Sequence, residues 1–118
     1  MIRILVVDDE PAIRSILQVV LSSEGFTIRT AADAAEAMAF CSHEQFDLVL
    51  SDVVMPGMDG RDLTQWVALN YPTTQTALMS GFDIEGRGCA LSPKLLAKPF
   101  TPRGAVGFVR SVLAANGA

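Results

Sequence analysis

The stretch Ile2-Arg3-Ile4-Leu5-Val6-Val7-Asp8-Asp9-Glu10-Pro11 decides the fold. It is apolar almost throughout from Ile2 to Val7 and stops at two adjacent carboxylates. A short run that does not alternate is the pattern of a strand covered on both faces, as in a parallel sheet. Pro11 suits the first turn of a helix, where a backbone N–H has no intrahelical partner to lose. Ile13, Ile16, Leu17, Val20 and Leu21 follow at helical spacing and predict one buried face. Gly25 closes that helix.

The same alternation continues down the chain. Phe26 to Ala31 predicts a second strand. Asp33 with Glu36 three residues later has the pattern of a capping box, ahead of a stripe of Ala34, Ala37, Met38 and Cys41. Leu48 to Ser51 predicts a third strand that, like the first, runs into an aspartate, Asp52. Residues 52–60 form a turn-rich loop. Asp59 then caps a helix that buries Leu63, Trp66 and Val67. Gln75 to Met79 and Leu95 to Ala97 predict the fourth and fifth strands, ending at Ser80-Gly81 and Lys98-Pro99. Thr101-Pro102 signals the start of a last helix with Val106, Val109, Val112 and Leu113 on one face, weakened by Gly104 and Gly107. Residues 82–93, with Gly86, Gly88 and Pro93, predict one or two turns of helix at most and a mobile loop otherwise. Strands alternating with helices specify an α/β domain on a parallel sheet, one domain spanning 1–118.

Composition agrees. The chain has 118 residues, 50% apolar and 19% charged, which excludes a disordered chain and fits a single domain. A net charge of −4 argues against a broad nucleic-acid footprint, and no DNA-binding element is visible. Two cysteines make no disulfide framework; they suit reduced thiols in the cytoplasm, Cys41 filling core and Cys89 in the irregular segment. The longest uncharged stretch, Leu63 to Phe82, is broken by Gln65, Asn70, Pro72, Thr73, Thr74 and Gln75, so no membrane span is predicted. Ile4 to Val7 is too short for a signal-peptide core.

Sites in open α/β sheets form beyond the carboxyl ends of the strands. Four of those ends carry polar residues here: Asp8 and Asp9, Asp52, Ser80, and Lys98. Carboxylates converging there repel by about 4 kcal/mol per pair at about 4 Å and an effective dielectric near 20. A hard divalent cation such as Mg²⁺ removes that penalty. Cation, ammonium and hydroxyl together suit a transferring phosphoryl group, and a carboxylate can act as its nucleophile. Asp52, at the end of a central strand, is the best-placed candidate.

With Asp8-Asp9-Glu10, Asp52-Val53-Val54-Met55-Pro56-Gly57-Met58-Asp59-Gly60, Ser80 and Lys98-Pro99-Phe100 in this order, the sequence resembles the receiver domain of two-component response regulators. The resemblance implies a flavodoxin-like three-layer sandwich: a five-stranded parallel sheet in the order 2-1-3-4-5 with five flanking helices, the fourth short or irregular. It implies that Asp52 accepts a phosphoryl group from a histidine kinase, a phosphotransfer protein or a small phosphodonor. Asp9, Asp52 and the main-chain carbonyl of Val54 would hold Mg²⁺, with Asp8 helping directly or through water. Lys98 would pair with the phosphoryl group, Ser80 would move toward it, and Lys98-Pro99 would be a cis peptide. It implies a downstream protein partner and a monomer or weak dimer, the dimer through the last helix and fifth strand.

Three departures from the family pattern stand out. Leu95 occupies the position where Tyr or Phe is common and serves as a rotamer switch. The segment between Ser80 and Lys98 is short, and Gly81 follows Ser80 in place of a frequent alanine. These resemble receivers attached to hybrid histidine kinases, and they place the conformational output in the loop after Ser80. Two other functions compete. A Mg²⁺-dependent aspartyl-phosphate phosphohydrolase would want a second aspartate two residues past Asp52, where Val54 stands. A degenerate receiver acting only as a docking domain is opposed by the intact Asp8, Asp9, Asp52, Ser80 and Lys98 set, although Leu95 leaves room for it.

Overall fold

The computed structural model describes residues 1–81 and 95–117. The chain order is β1 (Arg3–Val7), α1 (Pro11–Ser22), β2 (Thr27–Ala31), α2 (Ala34–His43), β3 (Leu48–Asp52), α3 (Gly60–Asn70), β4 (Gln75–Ser80), β5 (Leu95–Ala97) and α4 (Pro102–Gly117). The expected short helix, and with it Gly86, Gly88, Cys89, Pro93 and the loop assigned the conformational output, lies outside the described residues. Five strands, all parallel, form one sheet in the order β2-β1-β3-β4-β5, as expected.

Strand side chains alternate across the sheet, and each face builds its own core. Ile4, Val6, Leu48, Leu50, Ala77 and Met79 meet Leu17 and Leu21 of α1 and Ala105, Val109 and Val112 of α4. Leu5, Val7 and Val49 meet Ala34, Ala37 and Cys41 of α2 and Leu63 and Val67 of α3. Both faces of β1 and β3 are therefore dry, which explains their unbroken apolar runs. Cys41 packs in the second core, where burial pushes its thiol pKa up.

Local chemistry sets the helix boundaries. The Asp33 carboxylate accepts from the Glu36 amide at 2.8 Å, and Glu36 Oε1 accepts from the Ala32 amide at 2.7 Å, one residue earlier than in a standard capping box. Asp59 caps α3 through the Arg61 amide at 2.7 Å, and Thr101 caps α4 through the Gly104 amide at 2.9 Å. Gly25 follows α1 with φ +94°, a conformation that favours glycine. His43 ends α2 and its Nδ1 lies 2.8 Å from the Ala39 carbonyl.

The α1 stripe is narrower than expected. Leu17 and Leu21 are buried, but Ile16 is 45% exposed. One residue of α-helix turns through roughly 100°, which rotates Ile16 off the line of Leu17 and Leu21. Strands β3 and β4 also run one residue further than expected, so Asp52 and Ser80 are the last residues of their ladders. Among the described residues, no helix is long and apolar enough to cross a membrane.

Candidate functional site

All five strands point the same way, so their carboxyl ends share one rim. Central β1 brings Asp8 and Asp9 there, β3 brings Asp52, β4 brings Ser80, and β5 is followed by Lys98. Asp52 pairs with Met79 in the ladder, and Ser80, the next residue, pairs with Ala97. The Lys98 amide donates to the Ser80 carbonyl at 2.9 Å, which continues the ladder to the rim. The Lys98–Pro99 peptide is cis, as expected.

Lys98 is the centre of the charge cluster. Its Nζ lies 2.8 Å from Asp8 Oδ2, 3.2 Å from Asp52 Oδ1 and 3.8 Å from Glu10 Oε1. Asp8 is fully buried and Asp52 is 7% exposed, while Asp9 faces solvent. Carboxylate oxygens of Asp8, Asp9 and Asp52 all lie within 4.8 Å of one another. Burial raises the pKa of Asp52, and the charges of Asp8 and Asp9 add to the rise against the opposing pull of Lys98. Burial alone would lower the pKa of Lys98; its bonds and charge contacts with Asp8 and Asp52 outweigh that and raise it. One ammonium thus faces three carboxylates in a partly dry site, leaving a net negative charge.

That donor set fits a hard divalent cation. Its side chains offer oxygens only, and Mg²⁺ is held by one or two carboxylates while keeping several waters. Asp9 supplies the solvent-facing member, and Asp52 and Asp8 supply the buried ones. Val54, whose carbonyl the resemblance nominates, lies on the loop two residues past Asp52 with its side chain 53% exposed. Leu95 is half-buried and packs against Val53 and Leu78 beside the same strand end.

The main chain that carries Asp52 is held on several sides. The Val53 amide donates to the Met79 carbonyl at 2.9 Å, and the Gly60 amide donates to the Val53 carbonyl at 2.8 Å. The buried Ser51 hydroxyl donates to the Asp52 carbonyl at 3.0 Å. A Cβ on Gly60 would sit 1.9 Å from the Asp52 carbonyl oxygen, so only glycine lets α3 approach this closely. Met55 packs beneath, against the second core.

Arg14 is a contact the motifs do not mark: its Nη1 donates to the Asp8 carbonyl at 2.6 Å. In the sequence it is one more charged residue on an amphipathic helix, so no pattern singles it out. A cavity of about 680 Å³ opens at the opposite, amino end of the sheet, among Arg3, Glu44, Phe46, Asp47 and Tyr71. None of the converging carboxylates lines it.

Comparison with known proteins places this arrangement. Residues 4–103 match the family model described as "Response regulator receiver domain". The chain is 34% identical, over 94% of its length, to a probable transcriptional regulator, ycf27, of Porphyridium aerugineum, and covers 48% of that protein. It thus spans about half the length of the curated relatives it matches first. The chemotaxis response regulator CheY4 of Vibrio cholerae superposes with a TM-score of 0.86 at 30% identity, covering 95% of this chain and 98% of that one. The response regulator TrrA of Thermotoga maritima, solved in complex with Mg²⁺ and BeF, superposes with a TM-score of 0.85 at 29% identity, covering 95% and 99%.

Proposed function

We propose, from the fact that the chain belongs to the response regulator receiver domain family, that it works as a phospho-accepting switch with Asp52 as the acceptor. The observation that carries this reading is the Lys98 ammonium 3.2 Å from an Asp52 carboxylate that shares its rim with Asp8 and Asp9. The donor is a phosphohistidine on a histidine kinase or a phosphotransfer protein. An Asp52 carboxylate oxygen attacks phosphorus, a new O–P bond forms, and the P–N bond of the phosphohistidine breaks. Its electron pair returns to the imidazole, and Asp52 holds a mixed anhydride.

Such a transfer is catalysed by positioning and charge stabilisation. The residues of this chain divide that work. Asp9 and Asp52, with Asp8 behind them and the Val54 carbonyl beside them, would hold Mg²⁺. Bound there, the cation supplies positive charge to the phosphoryl oxygens. Lys98, released from Asp52, turns to the transferred group while keeping Asp8 as its anchor. Ser80 supplies a hydroxyl donor from the neighbouring strand end. The changed rim is then read by a downstream protein.

Intact-mass spectrometry after incubation with a small phosphodonor and Mg²⁺ tests the proposal. A single phosphoryl adduct is expected in the wild type, absent in Asp52→Asn and abolished by a chelator. A folded protein that gains no adduct and binds no Mg²⁺ would overturn it in favour of a docking domain.

A further inference from the structure

Arg14 holds the turn that presents Asp9. Its backbone amide donates to the Glu10 carbonyl at 3.2 Å, the first hydrogen bond of α1. Its guanidinium reaches back and donates to the Asp8 carbonyl at 2.6 Å. The guanidinium thus holds the Asp8–Asp9 peptide, while the amide bond to Glu10 is an ordinary helix bond that does not depend on the side chain at 14. The rest of Asp8 is equally committed. Its amide donates to Ala31 at 3.1 Å, its Oδ1 accepts from the Glu10 amide at 2.9 Å, and its Oδ2 accepts from Lys98 at 2.8 Å. Asp8 is thus a fixed post. Asp9, exposed at the tip of the turn, takes its direction from the peptide planes on either side.

We propose that Arg14 is a positioning residue for divalent-cation binding: its guanidinium fixes the peptide that leads into Asp9 and so aims the Asp9 carboxylate at Asp52. This rests on the reading of the acidic rim as a Mg²⁺ site. A guanidinium suits the task because its planar fork of N–H donors can hold a carbonyl in a fixed direction. The half-buried position of Arg14 keeps that bond from being exchanged freely with water.

Electrostatics and positioning make opposite predictions here, which gives the test its sign. Arg14 is a cation near a site for a dication. If it acted only through charge, its removal would tighten Mg²⁺ binding. If it aims Asp9, its removal weakens binding. Titration calorimetry of Mg²⁺ into the wild type, Arg14→Ala, Arg14→Gln and Arg14→Lys at one ionic strength separates the two. Each protein is measured at a temperature where circular dichroism shows it folded. Should Arg14→Ala not fold, the Gln and Lys variants carry the comparison.

The Mg²⁺ dissociation constant is expected to rise roughly tenfold or more in Arg14→Ala and Arg14→Gln, the usual loss when a partner supporting a metal ligand is removed. Arg14→Lys keeps one donor and the charge and recovers part of the affinity. The rate of phosphoryl uptake falls in the same ratio at limiting Mg²⁺ and returns to the wild-type value at saturation. An unchanged or tighter constant overturns the inference, as does a rate defect that saturating Mg²⁺ does not repair. A wild type that binds no Mg²⁺ overturns both this inference and the proposed function. A wild type that binds it alongside variants that bind it equally well overturns this inference alone.

Discussion

Lys98 and Asp8, 90 residues apart in the chain, meet at 2.8 Å, and the Asp8 carboxylate has no exposure to solvent at all. A charge that deep persists only when it is paired. Replacing Lys98 by Met would leave Asp8 and the neighbouring Asp52 facing each other without a counter-charge. Breaking a buried pair from one side costs about 3 kcal/mol or more. Thermal unfolding at neutral pH should show that loss, and added Mg²⁺ should raise the Tm of Lys98→Met more than that of the wild type. Equal Tm values for the two proteins would contradict the account.

The same pair fixes an alkaline signature. The pKa of folded Lys98 is raised above its ordinary value, so the stabilisation is fully present below that value and is lost as pH rises through the folded one. The difference in Tm between the wild type and Lys98→Met should shrink at strongly alkaline pH. A difference that stays constant across that range would show that lost packing, and not charge, sets the effect.

Asp52 has the opposite relation to stability. Its pKa is also raised, but for a carboxylate this means that the charged form is disfavoured in the folded chain. Its contribution is most favourable at low pH and is lost as pH rises through the folded value. Asp52→Asn should therefore melt higher than the wild type at neutral pH, by roughly 4 °C for each kcal/mol of repulsion relieved. The gain should vanish in acid below the ordinary carboxylate range. A gain over the wild type that is no larger at pH 7 than at pH 3 would contradict this.

Gly60→Ala tests the approach of α3 to the acceptor. The added Cβ would overlap the Asp52 carbonyl oxygen, which is backbone and has nowhere to rotate. Overpacking against side chains costs about 1–3 kcal/mol, and here the displaced group carries the acceptor itself. We expect a fall in stability together with a loss of phosphoryl uptake that excess Mg²⁺ does not restore.

Asp33→Ala serves as a control outside the charge cluster. It removes the cap of α2 and should cost about 1 kcal/mol in denaturant unfolding. Phosphoryl uptake should stay at the wild-type rate once the protein is folded.

Much of this was legible in the residue pattern, and the exceptions have physical reasons. Apolar runs that end in Asp8, Asp52, Ser80 and Lys98 identify both the parallel sheet and the rim, most clearly in β1 and β3, which stay dry from Ile4 and Leu48 to their last residues. Asp8 and Asp9 look equivalent as neighbours in the sequence, yet one is sealed and the other faces water. Only the pleat of β1 and the position of Lys98 separate them. Ile16 fits a helical period but lies off the buried line, since periodicity gives a face without its width. The Arg14 bond spans six residues from a helix back to the loop before it, a separation that belongs to no helical repeat. The closeness of Gly60 to Asp52 depends on how α3 docks, which no local signal contains.

The position of β1 between β2 and β3 also bears on the order in which the protein is made. Residues 3–52 contain β1, β2, β3, α1 and α2, so β1 has both ladder partners before β4 is synthesised. Asp52 is the last residue of that early half, and Ser80 and Lys98 arrive with the late half. A nascent chain that stops short of β5 carries Asp8, Asp9 and Asp52 but not the lysine that pairs with Asp8 and Asp52. On the ribosome, the seam between the two halves runs through the acceptor.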